Sequence, residues 1–392
     1  MRVLVAHNRY RSDAPSGENR LVEAEVALLR EGGVEVVELM TDSDTIAPGV
    51  RGVLQAAPGP VYSPSGVRHF TQLLRETRPD VVHLHNVFPL LSPYVVRVAA
   101  RAGVPVVQTV HNYRHGCVNG LHLRDGLPCT DCLGTRWGLP AVHHGCYRGS
   151  RIQTVPMTIG QNVHRGTWRD GVARYLALTP FMRDKLVATG IAPERVQVRA
   201  TWVPDPGPTS PPGNDVLYVG RLDEAKGIDR LLDAWAAGGR NSGRRLRIAG
   251  DGPLTGLVTA AAQGDSSIEH LGPLDALQVR AAMQQAAYLV VPSRVFKGYP
   301  LVIAEAFGSE RPVLTVAGGS VGSIVDDGVG WVVAPDITSL SAALRTIDDA
   351  SAVTRGVTAR LCYERHNTPE RGLASLLDTY HRVMLGAAGS HH

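Results

Sequence analysis

Residues 201–237 read TWVPDPGPTSPPGNDVLYVGRLDEAKGIDRLLDAWAA. The first part, Thr201–Val216, holds five prolines in a polar setting. Proline fixes φ and removes a backbone donor, so this stretch is neither helix nor central strand and reads as an interdomain linker. A short run, Val216–Val219, then reads as a buried strand, followed by a loop carrying Arg221 and Lys226 and a helical stretch over about 227–237. Strand, loop and helix in that order are the repeating unit of a doubly wound parallel sheet.

The same alternation lies on both sides of the break. Upstream, Val3–Ala6, Val34–Leu39, Val81–Leu84, Val106–Val110 and Tyr175–Leu178 read as buried parallel strands. Between them, Arg20–Arg30 carries Leu21, Val22, Val26, Leu28 and Leu29 at helical spacing. Downstream, Leu246–Ala249, Tyr288–Val291, Val313–Val316 and Trp331–Val333 read as strands, with helices near 276–286 and 300–308. The expectation is an α/β protein of two Rossmann-like, doubly wound domains facing across a cleft. Residues 1–202 form the first, with a Cys-rich excursion at 115–149, and residues 203–369 form the second. A last helix at 370–388 has no strand to cross over to and is expected to pack back on the first domain.

Composition fits this picture. The chain has 392 residues, 44% hydrophobic and 19% charged, which suits two or three domains with sizeable cores. Forty Lys and Arg against 36 Asp and Glu leave a net charge of +4 without a basic arm, so no nucleic-acid partner is expected. No apolar run reaches the ~18 residues of a membrane span. The start, MRVLVAHNRY, is wrong for a secretory signal. These features point to a cytoplasmic protein without a transmembrane segment; peripheral membrane contact and oligomeric state stay open.

Three stretches of the second domain suit an anion. In Gly220-Arg221-Leu222-Asp223-Glu224-Ala225-Lys226-Gly227, two cations share a loop between strand and helix, where a pyrophosphate could take both charges; solvated loop charges fit the spacing as well. Ala249-Gly250-Asp251-Gly252-Pro253 is a tight turn that allows close backbone approach. In Pro292–Glu305, Pro300 fits the first position of a helix, the amides of Leu301 and Val302 lack helical partners, and Glu305 lies one turn on.

The series GRLxxxKG, GDGP and PSRxxxGYPLVxxEA, in this order, resembles the donor domain of retaining GT-B glycosyltransferases, family 4. In the first domain, Ser16-Gly17-Glu18-Asn19-Arg20 resembles that family's Gly-containing loop, and His83-Leu84-His85-Asn86 and His111-Asn112-Tyr113 resemble its strand-end histidines. The resemblance covers nearly the whole chain. It implies a nucleotide-diphosphate-sugar donor, UDP- or GDP-linked, and an acceptor hydroxyl on a small molecule, natural product or glycan, with no catalytic metal. Arg221 and Lys226 would hold the pyrophosphate and Glu305 the ribose, and the backbone at Tyr299, Pro300, Leu301 and Val302 would reach phosphate or sugar hydroxyls, Pro300 without an N–H of its own. Gly17 and Gly250 would let their loops approach the donor, and His111 would face the sugar. The alternative is a non-catalytic or diverted member that binds a nucleotide-sugar without transfer.

Two positions depart from the family pattern. Lys297 stands where relatives usually carry the first Glu of E-x7-E, and Gly322-Ser323 replaces Pro-Glu. An ammonium donates where a carboxylate accepts. Lys297 therefore turns outward, complements an unusual donor sugar, or marks lost transfer.

Cys117, Cys129, Cys132 and Cys146 form C-x11-C-x2-C-x13-C, the donor set of a structural zinc site. Two disulfides and four reduced thiols are the alternatives, with His115, His122, His143 and His144 as substitute ligands. Cys362 stands apart and reads as a core residue of a helix.

Overall fold

Each half of the chain builds its own six-stranded parallel sheet. In the first half the strands are β1 (Arg2–Arg9), β2 (Glu35–Asp42), β3 (Val81–Leu84) and β4 (Val106–Val110). Two short strands, β5 (Leu123–Arg124) and β6 (Leu127–Pro128), lie in the Cys-rich excursion, and β7 (Arg174–Ala177) and β8 (Val196–Val198) complete the sheet in the order β2-β1-β3-β4-β7-β8. The second sheet contains β9 (Asp215–Val219), β10 (Leu246–Ala249), β11 (Ile268–Gly272), β12 (Ala286–Val291), β13 (Val313–Val316) and β14 (Gly330–Val333), ordered β11-β10-β9-β12-β13-β14. This computed structural model describes residues 1–12, 17–135, 137–207, 210–294, 296, 298–326 and 328–389.

The chain divides into two compact units, one of residues 1–124, 129–199 and 373–392, the other of residues 125–128 and 200–372. Central strands are buried along their whole length, as β3, β4, β12 and β13 show, because helices cover both faces of a parallel sheet. Continuous burial makes those strands plain in the sequence. The strands β8 and β11 are not plain: both lie at sheet edges, and sequences such as VQV and IEHLG bury only part of their length. Likewise β2 runs on to Asp42, because its pairing with β1 continues to Arg9↔Asp42 past the end of the apolar run.

Three helices need naming in the first unit: α1 (Gly17–Glu31), α2 (Arg151–Val163) and, at the other end of the chain, α6 (Pro369–Gly389). From α6, Leu376, Tyr380 and Val383 enter the core that holds Val3, Val5, Val26 and Leu29. Their four- and three-residue steps put them on one helix face. The second unit contributes α3 (Ile228–Ala237), α4 (Leu301–Gly308) and α5 (Asp349–His366).

The described part of the proline-rich stretch is irregular but anchored within the second unit. Tyr363 Oη donates to Val203 O at 3.0 Å. The buried Arg311 guanidinium donates to the carbonyls of Ser210, Met283 and Gln284. Five N–H donors on one planar group suit such a multi-carbonyl anchor.

Candidate functional site

In the second unit, three loops leave the carboxyl ends of β9, β10 and β12 and meet. The strand order reverses between β9 and β12, the place where open α/β sheets bind ligands. The loops after β9 and β10 are joined by backbone bonds, Leu222 N to Asp251 O at 2.9 Å and Leu254 N to Leu222 O at 2.9 Å. A Cβ on Gly250 would lie 1.9 Å from Gly220 O, so only glycine allows this approach. On the other side, Arg294 N donates to Ala225 O at 3.0 Å, and Arg294 pairs with Asp229. Gly227, at φ 75°, would place a Cβ 2.1 Å from Pro292 O.

Arg221 and Lys226 occupy this seam. Tyr218 Oη donates to Arg221 O at 2.9 Å, and the Arg221 guanidinium, well exposed, lies 3.4 Å from Asp223. Asp223 caps the following turn by accepting from Lys226 N at 2.8 Å. The helix α4 starts at Leu301, so Pro300 is its N-cap in an extended conformation and not its first helical residue. Ile303 N donates to Pro300 O at 3.0 Å, which closes the first turn behind an uncapped N-terminus. The Tyr299 ring packs on the unit's core, and its hydroxyl accepts from Asn367 at 3.2 Å. Burial raises its pKa. Tyr299 therefore offers a ligand only backbone. Glu305 is partly buried on α4. Lys297 lies outside the described residues, as does Ser16; Gly322 ends a short helix that begins at Gly319.

In the first unit, β1, β3 and β4 deliver histidines to one end of the sheet. His83 is held between Tyr380 Oη (2.7 Å from Nδ1) and Thr109 Oγ1 (2.8 Å from Nε2). His85 Nδ1 lies 2.9 Å from His111 Nε2, and His85 Nε2 faces Glu25 at 3.4 Å. Glu25 is fixed from its other oxygen by Arg199 at 2.7 Å. Burial holds His7 and His83 down at about 4, opposed by Asn19 and Glu25 respectively. Burial, followed by the neighbouring His7, His83 and Arg199, lowers His111 to about 3. These rings are neutral at pH 7, so each has one donor and one acceptor nitrogen. One of His85 and His111 therefore donates to the other across the 2.9 Å contact.

His85 and His111 line a pocket with Glu18, Asn112 and Arg114. Gly17 is the first residue of α1 and not part of the loop before it, so Glu18 sits in the first helical turn. Burial raises the Glu18 carboxyl to about 7, against the opposing pull of Arg114 and a hydrogen bond from Tyr10. Motif and spacing do not single out Glu18, Glu25, Arg199 or Tyr380. Glu18 has a signal in its place beside Gly17; the others carry no local one.

Glu25, His83 and His85 are the one set of three potential metal ligands within 4.8 Å of one another among the described residues. The Arg199 cation already neutralises Glu25, so an ion pair accounts for the set. Cys117, Cys129, Cys132 and Cys146 line a single cavity together with His122. Burial, with the nearby thiols adding to it, raises Cys132 to about 11. Cys362 packs on the second unit's core from α5. No helix among the described residues is long and apolar enough to cross a membrane.

Residues 16–202 match the family described as "Glycosyl transferase 4-like domain", and residues 213–349 match "Glycosyl transferases group 1". An uncharacterized glycosyltransferase of Methanocaldococcus jannaschii is 32% identical over 120 residues, 30% of this chain and 33% of that protein. The glycogen synthase of Paracoccus denitrificans is 25% identical over 315 residues, 74% of this chain and 65% of that protein. The chain thus spans about a third and just under two thirds of these relatives. Among solved structures, Anabaena HepE in complex with UDP superposes with a TM-score of 0.65, covering 97% of this chain and 99% of HepE; at 15% identity the likeness is one of fold.

Proposed function

The chain belongs to the GT-B glycosyltransferases of family 4, and on that premise we propose that it moves a sugar from a nucleotide-diphosphate-sugar to an acceptor hydroxyl with retention of configuration. The observation that carries this reading is the seam in the second unit. Glycine-only contacts at Gly227 and Gly250 join the loops that follow β9, β10 and β12 at the strand-order reversal; Arg221 and Lys226 lie on the first of these loops and α4 follows the last. Two cations and a helix N-terminus stabilise a departing diphosphate, the main electrostatic demand of the transfer. UDP is the favoured nucleotide, supported by its presence in HepE.

In this reading Arg221 and Lys226 hold the pyrophosphate and Glu305 accepts from ribose hydroxyls. The diphosphate departs from the face the acceptor approaches, and its oxygen takes the acceptor proton. His111, neutral and oriented by His85, meets the sugar hydroxyls. The acceptor is a small molecule, natural product or glycan. Cys117, Cys129, Cys132 and Cys146 would hold a structural zinc by drawing together around the cavity they line, since no three of their sulfurs lie within 4.8 Å of one another.

The test is a panel of UDP- and GDP-sugars, read by nucleotide release and by thermal shift. Turnover with one donor, lost in Lys226→Ala, supports transfer. A thermal shift without release on any donor favours the binding-only alternative, for which Lys297 in place of the family Glu is the motivating feature. A Lys297→Glu variant that gains release on a common hexose donor assigns that residue to donor choice.

A further inference from the structure

Helix α2 buries Thr154, Met157, Thr158 and Gly160, Met157 packing with Val118 and Ala141, while Ile152, Val155, Ile159 and Val163 on its other side are 84%, 39%, 45% and 45% exposed. These four recur at three- and four-residue steps and form one stripe about 16 Å long. The inward threonines are satisfied within the helix, Thr154 Oγ1 donating to Ser150 O at 2.7 Å and Thr158 Oγ1 to Val155 O at 2.8 Å. A Cβ on Gly160 would lie 2.4 Å from Pro60 O, so backbone presses on backbone there and the orientation cannot roll. Just before α2, Trp137 and Leu139 are also exposed, and Gly138 between them sits against Thr158.

The surroundings are cationic. Residues 137–169 contain Arg148, Arg151, Arg165 and Arg169 and no Asp or Glu, and of these Arg169 is paired with Asp170. Arg148 and Arg151 flank the start of the stripe, and at its end Arg97 donates to Val163 O at 2.9 Å and Arg165 opens the next helix. Four exposed aliphatics with an arginine rim lose free energy in water and gain it at an apolar, negatively charged boundary.

We propose that this face docks on an anionic lipid bilayer, with α2 lying in the plane of the surface. A second copy is the poorer occupant, because two-fold pairing sets the same patch on itself and would oppose arginine rim to arginine rim. The helix, at about 20 Å, lies along the surface and does not cross it.

Co-sedimentation with vesicles tests this on the full chain. Vesicles of phosphatidylcholine doped with phosphatidylglycerol are expected to carry the protein down, phosphatidylcholine alone is not, and raised salt is expected to release it. Ile159→Ser should weaken binding about tenfold and Arg151→Ala about fivefold, both with unchanged melting because the side chains are exposed. If Ile159→Ser alters melting, Ile152→Ser, at the outer start of the helix, serves in its place. Equal binding to both vesicle types, or variants that sediment like the parent, overturns the proposal. A parent that elutes as a dimer split by Ile159→Ser overturns it in favour of a second copy.

Discussion

Gly227 shows how much one residue decides. Its φ of 75° favours glycine, and the Pro292 carbonyl fills the space a side chain would need. Gly227→Ala must therefore break the contact between the two loops that bracket the proposed diphosphate site. Destabilisation of ~2–4 kcal/mol is expected, with loss of the UDP-induced thermal shift, measured by melting with and without UDP. An unchanged shift would show that the loops bind independently. This residue is legible in the chain, because the motif around Arg221 and Lys226 marks it. Glu25 is not: it sits within an ordinary amphipathic helix, and its partners Arg199 and His85 are distant in sequence. Only the folded core reveals that it carries a buried ion pair and orients the His85–His111 contact.

Elements differ in the same way. Buried strands announce themselves through apolar runs; the edge strands β8 and β11 do not. The Cys-rich excursion is recognisable from spacing, and the fold adds that its four thiols share one cavity. If zinc holds this element, the protein as purified under reducing conditions should carry about one zinc per chain. Chelation should then lower its melting temperature and open residues 115–149 to protease first. Metal analysis and limited proteolysis check this, and a zinc-free protein whose excursion resists protease would sink it. For α2, periodicity can locate the aliphatic stripe but not its direction. A helix with apolar residues on one side reads alike whether that side meets core or surroundings.

Across the molecule, the depressed histidines sit together in the first unit, which makes acid sensitivity uneven. Their folded pKa values of about 4 for His7 and His83 and about 3 for His111 lie below the ordinary 6.5, so the unfolded chain takes up protons first. The stability they contribute is fully present above pH ~6.5 and is lost as pH falls toward 4 and below. Each tenfold difference in proton affinity between folded and unfolded ring is worth about 1.4 kcal/mol. Glu18 acts oppositely: raised to about 7, it favours the folded state most below its ordinary 4.5, and that contribution declines as pH rises to 7. The histidines outnumber it. Hydrogen exchange at pH 7.5 and 5 should show β1, β3 and β4 losing protection before β9, β10 and β12, and uniform loss would contradict this. The α/β alternation, the proline break, the phosphate-suited loops and the cysteine quartet are all written in the chain itself, because each is a pattern of neighbouring residues. The Arg199–Glu25–His85–His111 network, the Tyr380 contact to His83 and the outward face of α2 exist only in the folded molecule. Those depend on which distant segments pack together, and burial, not spacing, sets the charge state and orientation of such groups.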